Sequence, residues 1–362
     1  MLMGLETLIK KAIKEGASDL HLRGGSPPRL RIDGELYALK DPIPTDQEIK
    51  KAMYETLTKE QIERFEHYKE LDFAYSAPEI CRMRINLFLQ RNNFCASIRI
   101  IPDHIPTMEE IYLPRACYNF VNLNKGLVLV TGPSGCGKST TLAAMIDFVN
   151  ANRRCHILTI EDPIEFVYHD KLAMVSQREV TFDTRSFATS LRHAFRQDPD
   201  VILVGEMRDL ETMQTAITLA ETGHLTFSTL HTGEAAQTIN RIIDSFPPHQ
   251  QEQIRAQLVV SLEGIISQKL LPLKGRRGRV AAREVLICNR AVKNLIREGK
   301  IQQISSAIQT GLEEGMVTMN NSLGQLYEKG LISYQVALNT SWDKKEFASK
   351  YHSRQVEEYE AL

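Results

Sequence analysis

Leu5, Leu8, Ile9, Ala12 and Ile13 fall at i, i+3, i+4, i+7 and i+8, one apolar stripe of a short helix, and Gly16 stands where that helix should stop. Leu20 and Leu22 then alternate with Asp19, His21 and Arg23, and Leu30 and Ile32 alternate with Arg29, Arg31 and Asp33, which is strand periodicity. Asp33-Gly34 marks a hairpin turn. A polar helical stretch is expected from Thr45 to about Tyr68, followed by strands over Leu71 to Tyr75, Cys81 to Gln90 and Phe94 to Ile101. Residues 1–101 thus read as a small α+β domain. Pro102, Pro106 and Pro114 interrupt any regular element, so 102–114 reads as a stiff linker.

After the linker the pattern changes. Short apolar runs, Leu127 to Val130, Ile157 to Ile160, Val201 to Val204 and Leu225 to Phe227, alternate with helical stretches. Runs apolar at every position are expected of parallel strands buried on both faces, and their alternation with helices predicts a doubly wound α/β core. From about Pro247 to the end the pattern is mostly helical, broken by the basic loop Lys274 to Arg279 and a strand-like Val280 to Ile287. No internal repeat or low-complexity segment stands out.

A chain of 362 residues has room for two domains. With 43% apolar and 25% charged residues it has the composition of an ordinary globular protein, which excludes collagenous and largely disordered classes. The net charge of −1 provides no global field for nucleic acid or an anionic membrane. The six cysteines form no CxxC pair and no zinc spacing, which suits a reducing cytoplasm. No run approaches the roughly 18 apolar residues of a membrane span, and Met1 to Lys11 carries charges where a secretory leader has an apolar core. A protein that is neither secreted nor membrane-spanning is expected.

The strongest chemical signal is Gly132-Pro133-Ser134-Gly135-Cys136-Gly137-Lys138-Ser139, a GxxxxGK[ST] loop between the strand Leu127 to Thr131 and the helical run Thr140 to Val149. Its glycines let successive N–H groups curl around a β-phosphate at a helix N-terminus. Lys138 is placed to reach the β- and γ-phosphates and Ser139 to ligate Mg²⁺. Cys136 occupies a variable position and is assigned no chemistry. A second strand-end carboxylate, Glu206, follows Val201 to Gly205, where it is expected to orient the attacking water or hold Mg²⁺ through water. Glu161, in Glu161-Asp162-Pro163-Ile164-Glu165 after the strand Ile157 to Ile160, is its rival as general base. His224 and His231 bracket the strand Leu225 to Phe227; His224 is read as a sensor of the γ-phosphate and His231 as orienting the next loop.

These segments, in this order, resemble the four boxes of the secretion ATPase superfamily of type II secretion and type IV pili: the phosphate loop with Thr140-Thr141, the Glu161 cluster, Arg196 to Asp209, and the two-histidine segment. The short N-terminal domain, the lack of a tetracysteine zinc insert, and Ala291 to Glu298 resemble its PilT-type pilus retraction branch. Val292 and Lys293 depart from that branch's usual Ile and Arg. The resemblance implies a RecA-like P-loop NTPase core over 115–362, with C-terminal helices, preceded by a small α+β, PAS-like N-terminal domain. It further implies an ATPase acting as a homohexamer at the cytoplasmic face of the inner membrane, with a platform protein and a paralogous retraction ATPase as partners. Arg82, Arg84 and Arg99 match the family's arginines that approach the γ-phosphate, and Gly132 to Thr140 its nucleotide loop. Pilus assembly or type II secretion is the alternative within the family. A nucleic-acid-translocating motor and a non-hydrolysing nucleotide switch are the alternatives outside it. Near-neutral charge argues against the motor, and intact Lys138, Ser139, Glu161 and Glu206 argue against the switch.

Overall fold

The first apolar stripe forms helix α1 (Leu5–Lys14), which buries Leu8, Ile9 and Ala12. The computed structural model describes residues 4–32, 34–77, 80–101 and 104–351; Asp33 of the expected turn and Pro102 of the expected linker lie outside the described residues. The chain divides into two units, Met1–His104 with Glu165–Val167, and Ile105–Ile164 with Tyr168–Leu362.

In the first unit α1 is followed by β1 (Asp19–Arg23), β2 (Arg29–Ile32), β3 (Glu35–Ala38), α2 (Asp46–Tyr54), α3 (Lys59–Tyr68), β4 (Glu70–Ala77), β5 (Cys81–Gln90) and β6 (Asn93–Ile101). The strands pair antiparallel in the order β3-β2-β1-β6-β5-β4. The stretch expected as helical from Thr45 to Tyr68 is two helices. Thr45 and Thr58 each close a capping box, with Glu48 and Gln61, and a cap residue needs an extended backbone, so Thr58 ends one run and starts another. Strand periodicity sorts the sheet. Leu20, Leu30, Ile85, Leu87 and Ile98 join Ile49, Met53 and Phe65 of α2 and α3 in one core. Arg82, Arg84 and Arg99 take the other face, with Arg84 and Arg99 directly opposite each other across β5 and β6.

The second unit runs α4 (Arg115–Val121), β7 (Gly126–Thr131), α5 (Lys138–Asn152), β8 (His156–Glu161), β9 (Met174–Glu179), α6 (Phe187–Ala194), β10 (Val201–Val204), α7 (Leu210–Glu221) and β11 (Leu225–Leu230). It continues through α8 (Ala235–Asp244), α9 (Pro248–Ser261), β12 (Leu262–Pro272), β13 (Arg279–Ile287), α10 (Arg290–Arg297), α11 (Ile304–Thr310), α12 (Met319–Glu328) and α13 (Tyr334–Thr340). The sheet order is β13-β12-β7-β11-β10-β8-β9, parallel except for β13. The expectation of mainly helix beyond Pro247 is corrected at β12, an eleven-residue strand. Its run Gly264 to Leu271 mixes apolar residues with Ser267, Gln268 and Lys269 and suits either element; the open edge of β7 selects the strand, because β12 satisfies that edge's backbone groups. The segment compared with the retraction branch is α10, capped by the Asn289 side chain, with Val292 and Ile296 buried and Lys293 Nζ 2.9 Å from Glu263.

Glu284, on β13, is buried and accepts the N–H of Ala235 at the start of α8 at 2.9 Å. Burial pushes its carboxyl up from 4.5 to about 8, partly offset by that N–H. The folded chain therefore holds a proton that the unfolded chain has released, and stability falls as pH rises from 4.5 toward about 8. Glu284→Gln keeps an acceptor for Ala235 and removes this cost. The melting temperature of the variant should drop less than the parent's between pH 6 and pH 9; parallel curves in a thermal melt series contradict this.

Candidate active site

Every parallel strand of the second sheet delivers its C-terminal end to one edge, and the apolar interior of β7 stops there at Thr131. The next residue, Gly132, has φ of +142°, and a side chain there would run into the backbone carbonyl of Gln268 and the Cys136 sulfur. Gly137 adopts φ +89° as the cap of α5. Only glycine tolerates these turns without strain. The loop Gly132 to Ser139 thereby wraps the N-terminus of α5, where unpaired N–H groups and the helix dipole favour an anion. Lys138 Nζ lies 2.9 Å from the Gly132 carbonyl and 3.2 Å from that of Pro133, and burial lowers its pKa. A phosphate beside this ammonium would relieve that desolvation. Pro133, Ser134, Gly135 and Ser139 are exposed, Thr140 is half-buried, and the Cys136 thiol is buried, which pushes its pKa up. Gly132→Ala should weaken nucleotide binding at least tenfold by forcing the loop off Gln268; unchanged ADP affinity in a titration would contradict this.

Beside the loop the sheet order decides what stands near a bound phosphate. β11 is adjacent to β7, β10 is next, and β8 lies beyond. At about 4.8 Å per strand, the ends of β10 and β8 sit roughly 10 and 15 Å from the end of β7. Glu206 follows β10. Its turn is held to β11 by Thr229 Oγ1 donating to the Gly205 carbonyl at 2.7 Å and by Met207 N–H donating to the Thr229 carbonyl at 3.2 Å. The Glu206 carboxylate lies 3.3 Å from His231 Nε2 and forms an ion pair with Arg208, which also reaches Asp162 at 3.6 Å. His231 stands at the loop end of β11; burial, then the Lys138 and Arg208 charges, lowers its pKa and favours the neutral ring. Glu161 is buried at the end of β8, and its carboxylate accepts from Thr159 Oγ1 at 2.7 Å and Gln177 Nε2 at 3.2 Å.

His224 is not at this edge, and its reading as a γ-phosphate sensor is corrected. It precedes β11, where its carbonyl accepts the N–H of Gly126 at the start of β7, about 20 Å from the phosphate loop at 3.3 Å per residue. Its ring instead meets the Leu219 carbonyl at 3.1 Å and the edge of Phe195, closing the turn after α7. His231, expected to orient the next loop, is the histidine beside Glu206. Arg208 was missed; its only signal was proximity to Glu206 in the chain. In the first unit Arg99 Nε donates to Asp19 at 3.0 Å, while Arg84 is exposed beside it on the open face of the sheet.

The described residues contain no cluster of three or more His, Cys, Asp or Glu side chains able to hold a metal, and no helix long and apolar enough to cross a membrane. The donors at the loop, the Ser139 hydroxyl with Glu206 two strands away, fit a Mg²⁺ that keeps most of its shell as phosphate oxygens and water.

The chain is 48% identical over 335 residues to the type IV pilus retraction ATPase PilT of Pseudomonas aeruginosa, covering 92% of this chain and 97% of that one. It is 46% identical to a twitching motility protein of Neisseria gonorrhoeae, covering 86% and 83%. The crystal structure of the pilus retraction motor PilT with bound ADP superimposes with a TM-score of 0.88 at 47% identity, covering 95% of this chain and 98% of that one. The family described as type II/IV secretion system protein matches residues 2–331. A phosphate loop on the second strand unit, a glutamate–histidine pair at the neighbouring strand ends and this match make the chain a member of the type II/IV secretion system protein family.

Proposed function

We propose that this chain is a motor ATPase that hydrolyses Mg-ATP to retract type IV pili. The observation that carries the reading is the placement of Lys138, Glu206 and His231 on one sheet edge, in a chain 48% identical to a protein named for that activity. Backbone N–H groups of the loop and Lys138 bind the β- and γ-phosphates, and Ser139 takes one position on the Mg²⁺ that accompanies ATP. Glu206 orients the attacking water and accepts its proton. His231, neutral and hydrogen-bonded to Glu206, holds the carboxylate in line with the γ-phosphate. Glu161, one strand farther along the sheet from the loop, holds the turn through Thr159 and Gln177 rather than the water.

The chain works as a homohexamer in the cytoplasm, docked on a platform protein at the inner membrane and accompanied by a paralogous retraction ATPase. Arg82, Arg84 and Arg99 supply guanidinium charge to the γ-phosphate of nucleotide held by another copy in the ring; such a group is worth about 10³–10⁵ in rate. ATP turnover of the purified chain, followed across a protein concentration series with mass determined in parallel, tests this. Turnover that appears with the sixfold mass and ignores single-stranded DNA is the expected result. Full turnover in the monomer overturns the role of the arginines, and strong stimulation by DNA overturns the pilus reading.

A further inference from the structure

Behind the phosphate loop lies a buried polar residue that none of the nucleotide chemistry accounts for. Gln268 of β12 is 1% exposed, flanked along the strand by Ser267 and Lys269. Its amide Nε2 donates to the carbonyl of Cys136, inside the loop, at 2.8 Å, and its Oε1 accepts from Thr141 Oγ1, in the first turn of α5, at 2.9 Å. Thr141 in turn accepts from Arg283 Nη2 at 3.4 Å. Arg283 is the cross-strand partner of Gln268 on β13. It is buried, and its other Nη donates to the carbonyls of Ile111, at 2.8 Å, and Tyr112, at 3.4 Å. Tyr112 holds φ of +54°, a conformation a bulky residue keeps only where its neighbours impose it.

The consequence is geometric. The carbonyl of Cys136 and the N–H of Gly137 belong to one planar peptide and point in opposite directions. Pulling that carbonyl back toward β12 turns the Gly137 N–H to the other side, the side the loop presents to phosphate. The amide of Gln268 can do this only one way round, because Thr141 uses its hydroxyl hydrogen on Oε1 and Arg283 occupies the Thr141 oxygen. We infer that Gln268, its amide oriented by Thr141 and Arg283, is a positioning residue that sets the phosphate loop for nucleotide. This rests on the nucleotide-binding reading of the loop.

A donor that serves both the bound substrate and the transition state affects KM more than kcat. In the full-length assembly, Gln268→Met should raise the Kd for a fluorescent ADP, with Mg²⁺ present, about tenfold, the weight of one net hydrogen bond. KM for ATP should rise similarly, with kcat within threefold. Gln268→Glu supplies a readout that packing alone cannot produce. Ionised, it offers no donor and repels the Cys136 carbonyl; protonated, its O–H can donate. Its Kd relative to the parent's should be raised tens of fold at pH 9 and fall as pH drops, burial moving that fall to higher pH and the Arg283 guanidinium beyond Thr141 moving it lower. Thr141→Val frees the amide to flip and should cost about threefold to tenfold.

The parent's own binding is measured first. A parent that does not bind ADP overturns the nucleotide reading and this inference together. A parent that binds, with Gln268→Glu of unchanged affinity at pH 9 or a folded Gln268→Met of unchanged affinity, overturns the positioning role alone. A Gln268→Met chain too unstable to assay leaves the decision to the affinity of Gln268→Glu at pH 9.

Discussion

Lys138→Ala is expected to lower turnover of Mg-ATP by about 10²–10³, the usual cost of removing one preorganised charge-stabilising donor. The ammonium lies on the loop's own carbonyls of Gly132 and Pro133, of which that of Pro133 borders solvent, so its removal leaves at most the Gly132 carbonyl short of a partner. The fold should therefore survive, and the loss should be electrostatic. Steady-state kinetics with a thermal melt separate the two. A variant that keeps more than about a tenth of the parent's kcat would mean that Lys138 does not stabilise the transferring phosphoryl group.

Glu206→Gln is expected to bind ATP and ADP about as well as the parent while turnover falls by about 10²–10⁴, the range for loss of a positioned base. The amide keeps the size of the side chain and an acceptor for Arg208, but it cannot take a proton from water. Equilibrium binding and single-turnover hydrolysis on the same sample check both halves. The companion variant, Glu161→Gln, should retain most of its turnover. Its carboxylate is committed to Thr159 and Gln177 and stands a strand farther from the loop. Normal turnover by Glu206→Gln combined with loss in Glu161→Gln would move the base to Glu161.

Much of the fold was legible because its signals are local. Apolar runs such as Leu127 to Val130 and Val201 to Val204 announce buried strands without reference to anything else in the chain. The missed elements are those whose identity depends on a neighbour. β3, Glu35–Ala38, is exposed throughout and exists because β2 offers it an edge. β9, Met174–Glu179, carries polar residues along an edge of the second sheet, and its sequence signals neither strand nor helix. β12 has a mixed apolar and polar run compatible with a helix and becomes a strand because β7 needs a partner. The split between α2 and α3 was in principle readable from Thr58 and Gln61, a capping box inside an otherwise continuous polar helical pattern.

By itself the sequence determined the phosphate loop, its place between a strand and a helix, the parallel α/β core and the family resemblance. All of these are written in residues adjacent along the chain, where spacing and periodicity act directly. The tertiary structure decided which strand end lies beside which. Periodicity shows that a strand exists but not its place in the sheet, and only the order β7-β11-β10-β8 puts Glu206 nearer the loop than Glu161. The direction of β11 likewise sends His231, not His224, to the phosphate edge. Gln268, 132 residues from the carbonyl it holds, acquires its role only when β12 packs behind the loop, because a hydrogen bond depends on distance in space and not along the chain.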